Sequence, residues 1–348
     1  MEEKPKRRSK SVAAREGADF RKSAPTGSKA DASKDLPFNP LSETADPRQT
    51  GSNATLPLGN PGYNQATAVS SPGSMEKTLP AQRLVTNRFE VAALSNVGKI
   101  RTNNEDSYGT FLGSVPRLNN DQELLFSFMA VADGMGGHEN GEVASNIAIR
   151  KMTEGVLRNF YLPTLEGEQP GRTGDSPMET LASLIEDANQ AILQQAQQDR
   201  ISMGTTLTCM VRIGQTAVIG HVGDSRLYIL DKSSPKLRQV THDHSMVQRL
   251  VDLGTITREE ALNNPQRSVL YLTLGQKGQV EPDVELVQLA EVASILICSD
   301  GLWEMLEESA IERILKQAYS AAEACEKLVE AANAAGGYDN ITVIVAKF

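Results

Sequence analysis

A chain of 348 residues has room for two average domains or one large one, and its formal charge of −9 is spread unevenly: residues 1–85 hold 13 Lys and Arg against 9 Asp and Glu, leaving 22 against 35 for the rest. An acidic body makes nucleic acid a poor partner and suits metal cations held by carboxylates. The sequence lacks a run of 18 apolar residues, an apolar leader and any paired cysteine spacing; Cys209, Cys298 and Cys325 read as buried thiols of a cytoplasmic protein, with no membrane span, disulfide frame or zinc site.

Residues 1–84 form a Pro/Ser/Lys-rich tail with 9 of the 16 prolines and three aromatics, Phe20, Phe38 and Tyr63. Such a segment buries too little apolar surface to offset the entropy of ordering it, so disorder is expected there, and its basic start KPKRRSK reads as a solvating tail. Order is expected from near Arg88, with residues 85–348 as the folded domain. RFEVAALSNVG predicts a first strand, and KIRTNNEDSYGTF leads into a second that carries Arg101, Glu105 and Asp106. After a polar loop at 114–123 comes FSFMAVADGMGGHENGEVAS (126–145), an apolar run with the composition of a strand buried on both faces that ends on Asp133. Gly134, Gly136, Gly137 and Gly141 then let the backbone approach closely and turn into a helix.

Helical patterns are expected at 141–160 and about 178–199, separated by a Gly- and Pro-rich loop from Leu162 to Pro177. Consecutive strands follow at 203–213 and 216–230, the second folded about Gly223-Asp224 in what resembles a hairpin turn, so Asp224 is a turn residue or a ligand. Residues 241–275 mix a short helix with irregular segments, as a flap over an active-site edge would. SILICSDGL (294–302) is again an apolar strand closing on an acid, Asp300. Two further helices deliver the chain to Asp339, which leads into the last strand, GGYDNITVIV (336–345).

If these strands are antiparallel, an acid ending one and an acid starting another meet, so Asp133, Asp300 and Asp339 can share a sheet edge, with Asp224, Glu105 and Asp106 as candidates beside them. Bare carboxylates so gathered repel and raise one another's pKa, and divalent cations relieve the conflict. All-oxygen ligation, including the Gly134 carbonyl, selects Mg2+ or Mn2+ over zinc, and a pair of such ions can activate water at neutral pH. A guanidinium beside the cluster, Arg101, is suited to gripping a phosphoryl group, which makes phosphoryl hydrolysis the natural chemistry. His138, just past the glycines, could donate a proton to the leaving oxygen or be a solvated bystander.

The blocks IRTNNEDS, VADGMGGHENGEVAS, MGTTLT, GHVGDSRLY, THDHS, CSDGLW and GYDNITVIV, in that order from about Arg88 to Phe348, resemble the metal-dependent serine/threonine protein phosphatases of the PPM (type 2C) family in their bacterial form. The resemblance implies an α+β fold, a four-layer α/β/β/α sandwich of two antiparallel sheets flanked by helices, with a flap segment and the metals at one edge. It implies that Asp133 bridges two catalytic ions with the Gly134 carbonyl completing one shell, that Asp300 and Asp339 are further ligands, and that Glu105 and Asp106 bind or orient water at the second ion. It further implies that Arg101 holds the substrate phosphate, that His138 is the candidate acid, and that Asp224 with Asp300 holds a third, weaker ion. The expected substrates are phosphorylated proteins of a cognate kinase and the expected state is a monomer; a non-catalytic phosphopeptide-binding module on the same fold is the alternative. Ser268 stands where family members commonly show Asn after the flap Arg, the loop from Leu162 to Pro177 is longer than in the smallest members, and the tail has no counterpart.

Overall fold

The computed structural model describes residues 82–86, 89–115, 123–135, 139–171, 174–234, 236–262 and 264–348. The expectation of disorder for the tail therefore lies outside the described residues up to 81, while Gln82 to Leu84 belong to a strand. The first half of the chain gives β1 (Gln82–Thr86), β2 (Phe89–Asn96), β3 (Asp106–Val115), β4 (Leu124–Met135), α1 (Glu139–Val156), a π-helical turn (Leu157–Tyr161), α2 (Leu162–Glu166) and α3 (Pro177–Asp199). Then come β5 (Gly204–Thr205), β6 (Leu207–Ile213), β7 (Thr216–Val222), β8 (Arg226–Asp231), β9 (Leu237–Gln239), α4 (Met246–Asp252) and α5 (Arg258–Leu262). The chain closes with β10 (Asp283–Gln288), β11 (Val292–Cys298), α6 (Asp300–Trp303), α7 (Glu308–Gln317), α8 (Ala321–Ala334) and β12 (Ile341–Lys347). Among the described residues no helix is long and apolar enough to cross a membrane.

The strands form two antiparallel sheets, one ordered β1-β2-β12-β11-β8-β9 and the other β10-β7-β6-β4-β3, with β5 paired to β4. Alternation along each central strand explains why its apolar run is continuous: both faces are covered. In β4, Phe126, Phe128, Ala130 and Ala132 pack with α1 and α3, while Met129 and Val131 face Ile295, Ile297 and Ile344 of the other sheet. In β12, Val343 and Val345 pack with α7 and α8, and Ile344 and Ala346 turn inward. Three apolar layers thus join four layers of secondary structure, as expected.

Four local expectations are corrected. The second strand starts only at Asp106, so Arg101 and Glu105 lie on the loop before it, where TNNE offers no apolar alternation. The stretch 216–230 is no hairpin: β7 and β8 lie in different sheets, and Gly223-Asp224 is a crossover between them. The expected loop after Leu162 begins with α2, because Pro163 is tolerated in a first helical turn, and Gly167 in the left-handed region ends it. The acids, finally, come from the shared end of two sheets, with Asp106 and Asp133 on one and Asp300 and Asp339 at the strand ends of the other.

Candidate metal centre

Register sets the first pair. Asp106 and Asp133 are cross-strand partners in β3 and β4, so their side chains leave the same face. Asp133 shares its parity with Met129 and Val131, and that face is the one between the sheets. The other sheet meets them through Ser299, which follows β11: its hydroxyl donates to Asp106 Oδ2 at 2.8 Å and accepts the Thr342 N–H of β12 at 3.0 Å. Asp300 follows Ser299, and Asp339 precedes β12 by two residues.

The loop carrying Arg101 and Glu105 is held at three points by the side chain of Asn340. Its amide donates to the carbonyls of Val97 (3.0 Å) and Asn103 (2.9 Å), and its oxygen accepts the Glu105 N–H (2.8 Å). Arg101 Nη2 then donates to Asp339 Oδ2 at 2.6 Å. The end of β4 is pinned in turn: the Asp133 N–H donates to Thr206 Oγ1, and the Asp133 carbonyl accepts from Thr206 N–H and Thr205 Oγ1, all at 2.8–2.9 Å. The Gly134 N–H donates to the Glu105 carbonyl at 3.2 Å, and a Cβ at Gly134 would collide with the main chain of Gly141 and the carbonyl of Glu105. Across the crossover, the Asp224 carbonyl accepts Trp303 Nε1 at 3.0 Å. Arg226 lies 3.6 Å over the Trp303 ring and pairs with Asp243 at 2.7 Å.

The acids feel one another. Burial pushes Asp106 up to about 6, against hydrogen bonds from Thr342 and Ser299 that favour its charged form, with the Asp339 charge adding to the rise. Burial, then the charge of Asp243, lifts Asp224 to about 7, and Arg226 pulls the other way. Asp133 and Asp300 stand well above the ordinary carboxylate range. Burial comes first for both, followed at Asp133 by the charges of Asp106, Asp300, Asp224 and Asp339, and at Asp300 by those of Asp224 and Asp339. The Arg101 guanidinium is raised, with Asp339 favouring its charge against the burial that opposes it.

Five aspartates are thus within electrostatic reach, yet among the described residues no three His, Cys, Asp or Glu side chains close into a ready cage. Each acid is tethered to its own strand end or loop. Two observations bear on whether hard cations fit. Oδ1 of Asp106 and Oδ1 of Asp300 are buried without a hydrogen-bond partner, and an orphaned buried carboxylate oxygen is costly unless a cation or donor meets it. The donors are oxygens throughout, which suits Mg2+ or Mn2+ and not the softer metals. The residues present fit such ions.

Asp106, Asp133, Asp224, Asp300 and Asp339 are therefore brought together, with Arg101 and Glu105 on the adjoining loop. His138 lies outside the described residues. Sequence reasoning misses Asn340, Ser299, Thr205, Thr206 and Trp303, which hold the acids in place. The only local signal for two of them is adjacency to a carboxylate, in Asp339-Asn340 and Ser299-Asp300. The three cysteines are buried and free, each thiol pushed by burial to about 12.

The protein phosphatase 2C family profile matches residues 103–334, about two thirds of the chain. The serine/threonine phosphatase stp of Listeria welshimeri is 37% identical over 253 residues, covering 72% of this chain and 92% of its own. Among solved structures, the Mycobacterium tuberculosis serine/threonine phosphatase PstP/Ppp superposes with a TM-score of 0.61 at 34% identity, over 75% of this chain and 98% of its own. A catalytic domain of PstP in complex with two manganese ions gives a TM-score of 0.58 at 35% identity, over 74% and 97%. These relatives are phosphatases by name, and the phosphopeptide-binding alternative gains no support from them. A sandwich of two antiparallel sheets, an acid cluster at their common end and these likenesses agree: the chain belongs to the protein phosphatase 2C family and is a divalent-metal-dependent serine/threonine protein phosphatase.

Proposed function

We propose that the acid cluster binds two divalent cations, Mg2+ or Mn2+, for the hydrolysis of phosphoserine and phosphothreonine in proteins. The observation that carries this reading is the gathering of five aspartates, two with orphaned buried oxygens, beside an arginine exposed to solvent. The residues that would hold the ions are Asp133 with the Gly134 carbonyl, Asp300 and Asp339. Glu105 and Asp106 would hold and orient water at the second ion, and Asp224 with Asp300 would take a third, weaker one. When bound, such ions supply charge that cancels the repulsion among the acids, and Lewis acidity toward water and phosphoryl oxygen.

The chain's own groups do the rest. Asp339 fixes one nitrogen of Arg101 at 2.6 Å, leaving the guanidinium other donors for the phosphoryl oxygens. Asn340 keeps the Arg101 loop in register with Asp339. Water adds to phosphorus, the ester P–O bond breaks, and the serine or threonine oxygen leaves with a proton, for which His138 is the proposed donor. The substrates are the phosphoproteins of a cognate kinase, and the enzyme acts as a monomer in the cytoplasm.

Turnover of an aryl phosphate and a phosphopeptide tests the reading. Both reactions should require added Mn2+ or Mg2+, stop in EDTA and vanish in Asp133→Ala, while Arg101→Ala mainly raises KM because its grip is made in ground and transition states alike. Turnover that persists in EDTA, or in Asp133→Ala, overturns it.

A further inference from the structure

Arg101 and Asp339 are each preceded by an exposed apolar residue. Ile100 and Tyr338 are both 63% exposed, on two loops joined by main-chain hydrogen bonds from Lys99 N–H (2.8 Å) and Ile100 N–H (3.3 Å) to the Gly337 carbonyl. Single exposed apolar residues are common on protein surfaces and need no explanation. This pair differs by its placement: the two side chains are rooted on neighbouring loops, one residue from either member of the 2.6 Å Arg101–Asp339 pair. Neither belongs to an apolar core cluster. The Tyr338 ring lies close over Gly336, where a Cβ would come within 2.8 Å of it and where φ is +147°, so the ring rests on a position that keeps clear of it.

We propose that Ile100 and Tyr338 form an apolar ledge that receives the side chain next to the phosphorylated residue of a protein substrate. The proposal rests on Arg101 gripping the phosphoryl group. An extended substrate advances roughly 3.3 to 3.6 Å per residue, so the residue flanking a phosphoserine held at Arg101 stays within a few ångströms of the two loops that meet at the Gly337 carbonyl and carry Ile100 and Tyr338. A phosphoserine held at Arg101 therefore sets its neighbour beside the ledge, where an aliphatic or aromatic side chain covers apolar surface that a polar one would leave wet. An aryl phosphate has no such neighbour. The ledge thus adds selectivity among phosphoproteins to a site whose phosphate grip is indifferent to sequence.

The test is steady-state kinetics with two pairs of phosphoserine peptides, Leu against Gln immediately after the phosphoserine in one pair and immediately before it in the other. The pairs carry equal charge, so attraction to Lys99 or Arg101 does not enter the comparison. For the natural chain, kcat/KM should favour Leu by about tenfold in at least one pair, the scale of one partly buried apolar side chain. In Ile100→Ser/Tyr338→Ser that ratio should fall toward one, and each single variant should lose part of it. The readout is the ratio, so a uniform fall with Leu and Gln peptides, as from a disturbed Asp339 loop, counts against the proposal. Flat ratios in the natural chain, or a preference kept in the double variant, overturn the ledge while leaving the phosphatase reading intact. Failure to turn over any of the four peptides overturns both.

Discussion

Replacing Asp106 by Asn removes one charge from the acid cluster while keeping the shape, and it should make the metal-free protein more stable. Asp106 sits at about 6, against an ordinary value near 3.8. A carboxyl whose folded pKa is raised binds its proton more tightly when folded, so its stabilising contribution is complete below about pH 4 and lost as pH rises through 6. A rise of that size corresponds to about 3 kcal/mol at alkaline pH. Asn still accepts from Ser299, and its amide supplies a donor toward Asp133, its cross-strand partner. Because the protons belong to the cluster as a whole, the gain realised by one substitution is smaller, roughly 1 to 3 kcal/mol. At about 2 °C per kcal/mol for a domain of this size, Asp106→Asn should melt roughly 2 to 6 °C higher than the natural chain in EDTA at pH 8. By pH 4.5 the difference should shrink to roughly a third, since most of the carboxyl is then protonated in the folded state. Added Mn2+ should reverse the order, because the natural chain gains more from binding. A variant less stable than the natural chain in EDTA at pH 8, or a gain that does not change with pH, would refute the account of the cluster as strained by its own charge.

Two other substitutions probe how the acids are held. Gly134→Ala drives a methyl into the main chain of Gly141 and Glu105, so β4 must move; thermal melting should fall by several degrees, and metal-dependent turnover should drop by at least tenfold. Asn340→Ala removes three hydrogen bonds that fasten the Arg101 loop, each worth about 1 kcal/mol. Urea unfolding should report a loss of roughly 2 to 4 kcal/mol, and KM for an aryl phosphate should rise as Arg101 loses its register with Asp339.

How much of the molecule is legible in its sequence depends on how far each cause lies along the chain. The run FSFMAVA declares burial on both faces because its two residue sets each meet an apolar layer, and the sequence carries that fact locally. Asp133 and Asp300 announce themselves as acids closing such runs. The crossover at Gly223-Asp224 reads as a hairpin because the local turn chemistry of a Gly-Asp dipeptide is the same for both. Whether β8 returns to the sheet of β7 or joins β11 is decided by partners about 70 residues later. Asn340 is illegible for the same reason: its partners Val97, Asn103 and Glu105 lie more than 230 residues earlier. Arg101 reads as part of a strand that starts five residues later, since a polar stretch next to a strand does not mark where pairing begins.

The origin of the acids in two sheets has a physical consequence for the site. Asp106 and Asp133 ride on β3 and β4, Asp300 and Asp339 on the ends of β11 and β12, and the apolar layer between the sheets fixes the separation of the two pairs. Among the described residues, Asp106 is met across that gap by a neutral donor, the Ser299 hydroxyl. A serine there satisfies one oxygen of Asp106 without neutralising it, so the charge stays available to a cation. An arginine or lysine in the same place would stabilise the sandwich and cancel the attraction for metal. Among the described residues, the guanidinium joined directly to one of these acids is that of Arg101, at the exposed outer side on Asp339. The cluster is therefore kept electrostatically unsatisfied from within while the hydrophobic layers hold the sheets together. This trade of stability for function needs a large core behind it, and Met129, Val131, Ile295, Ile297 and Ile344, all buried between the sheets, are what supplies it.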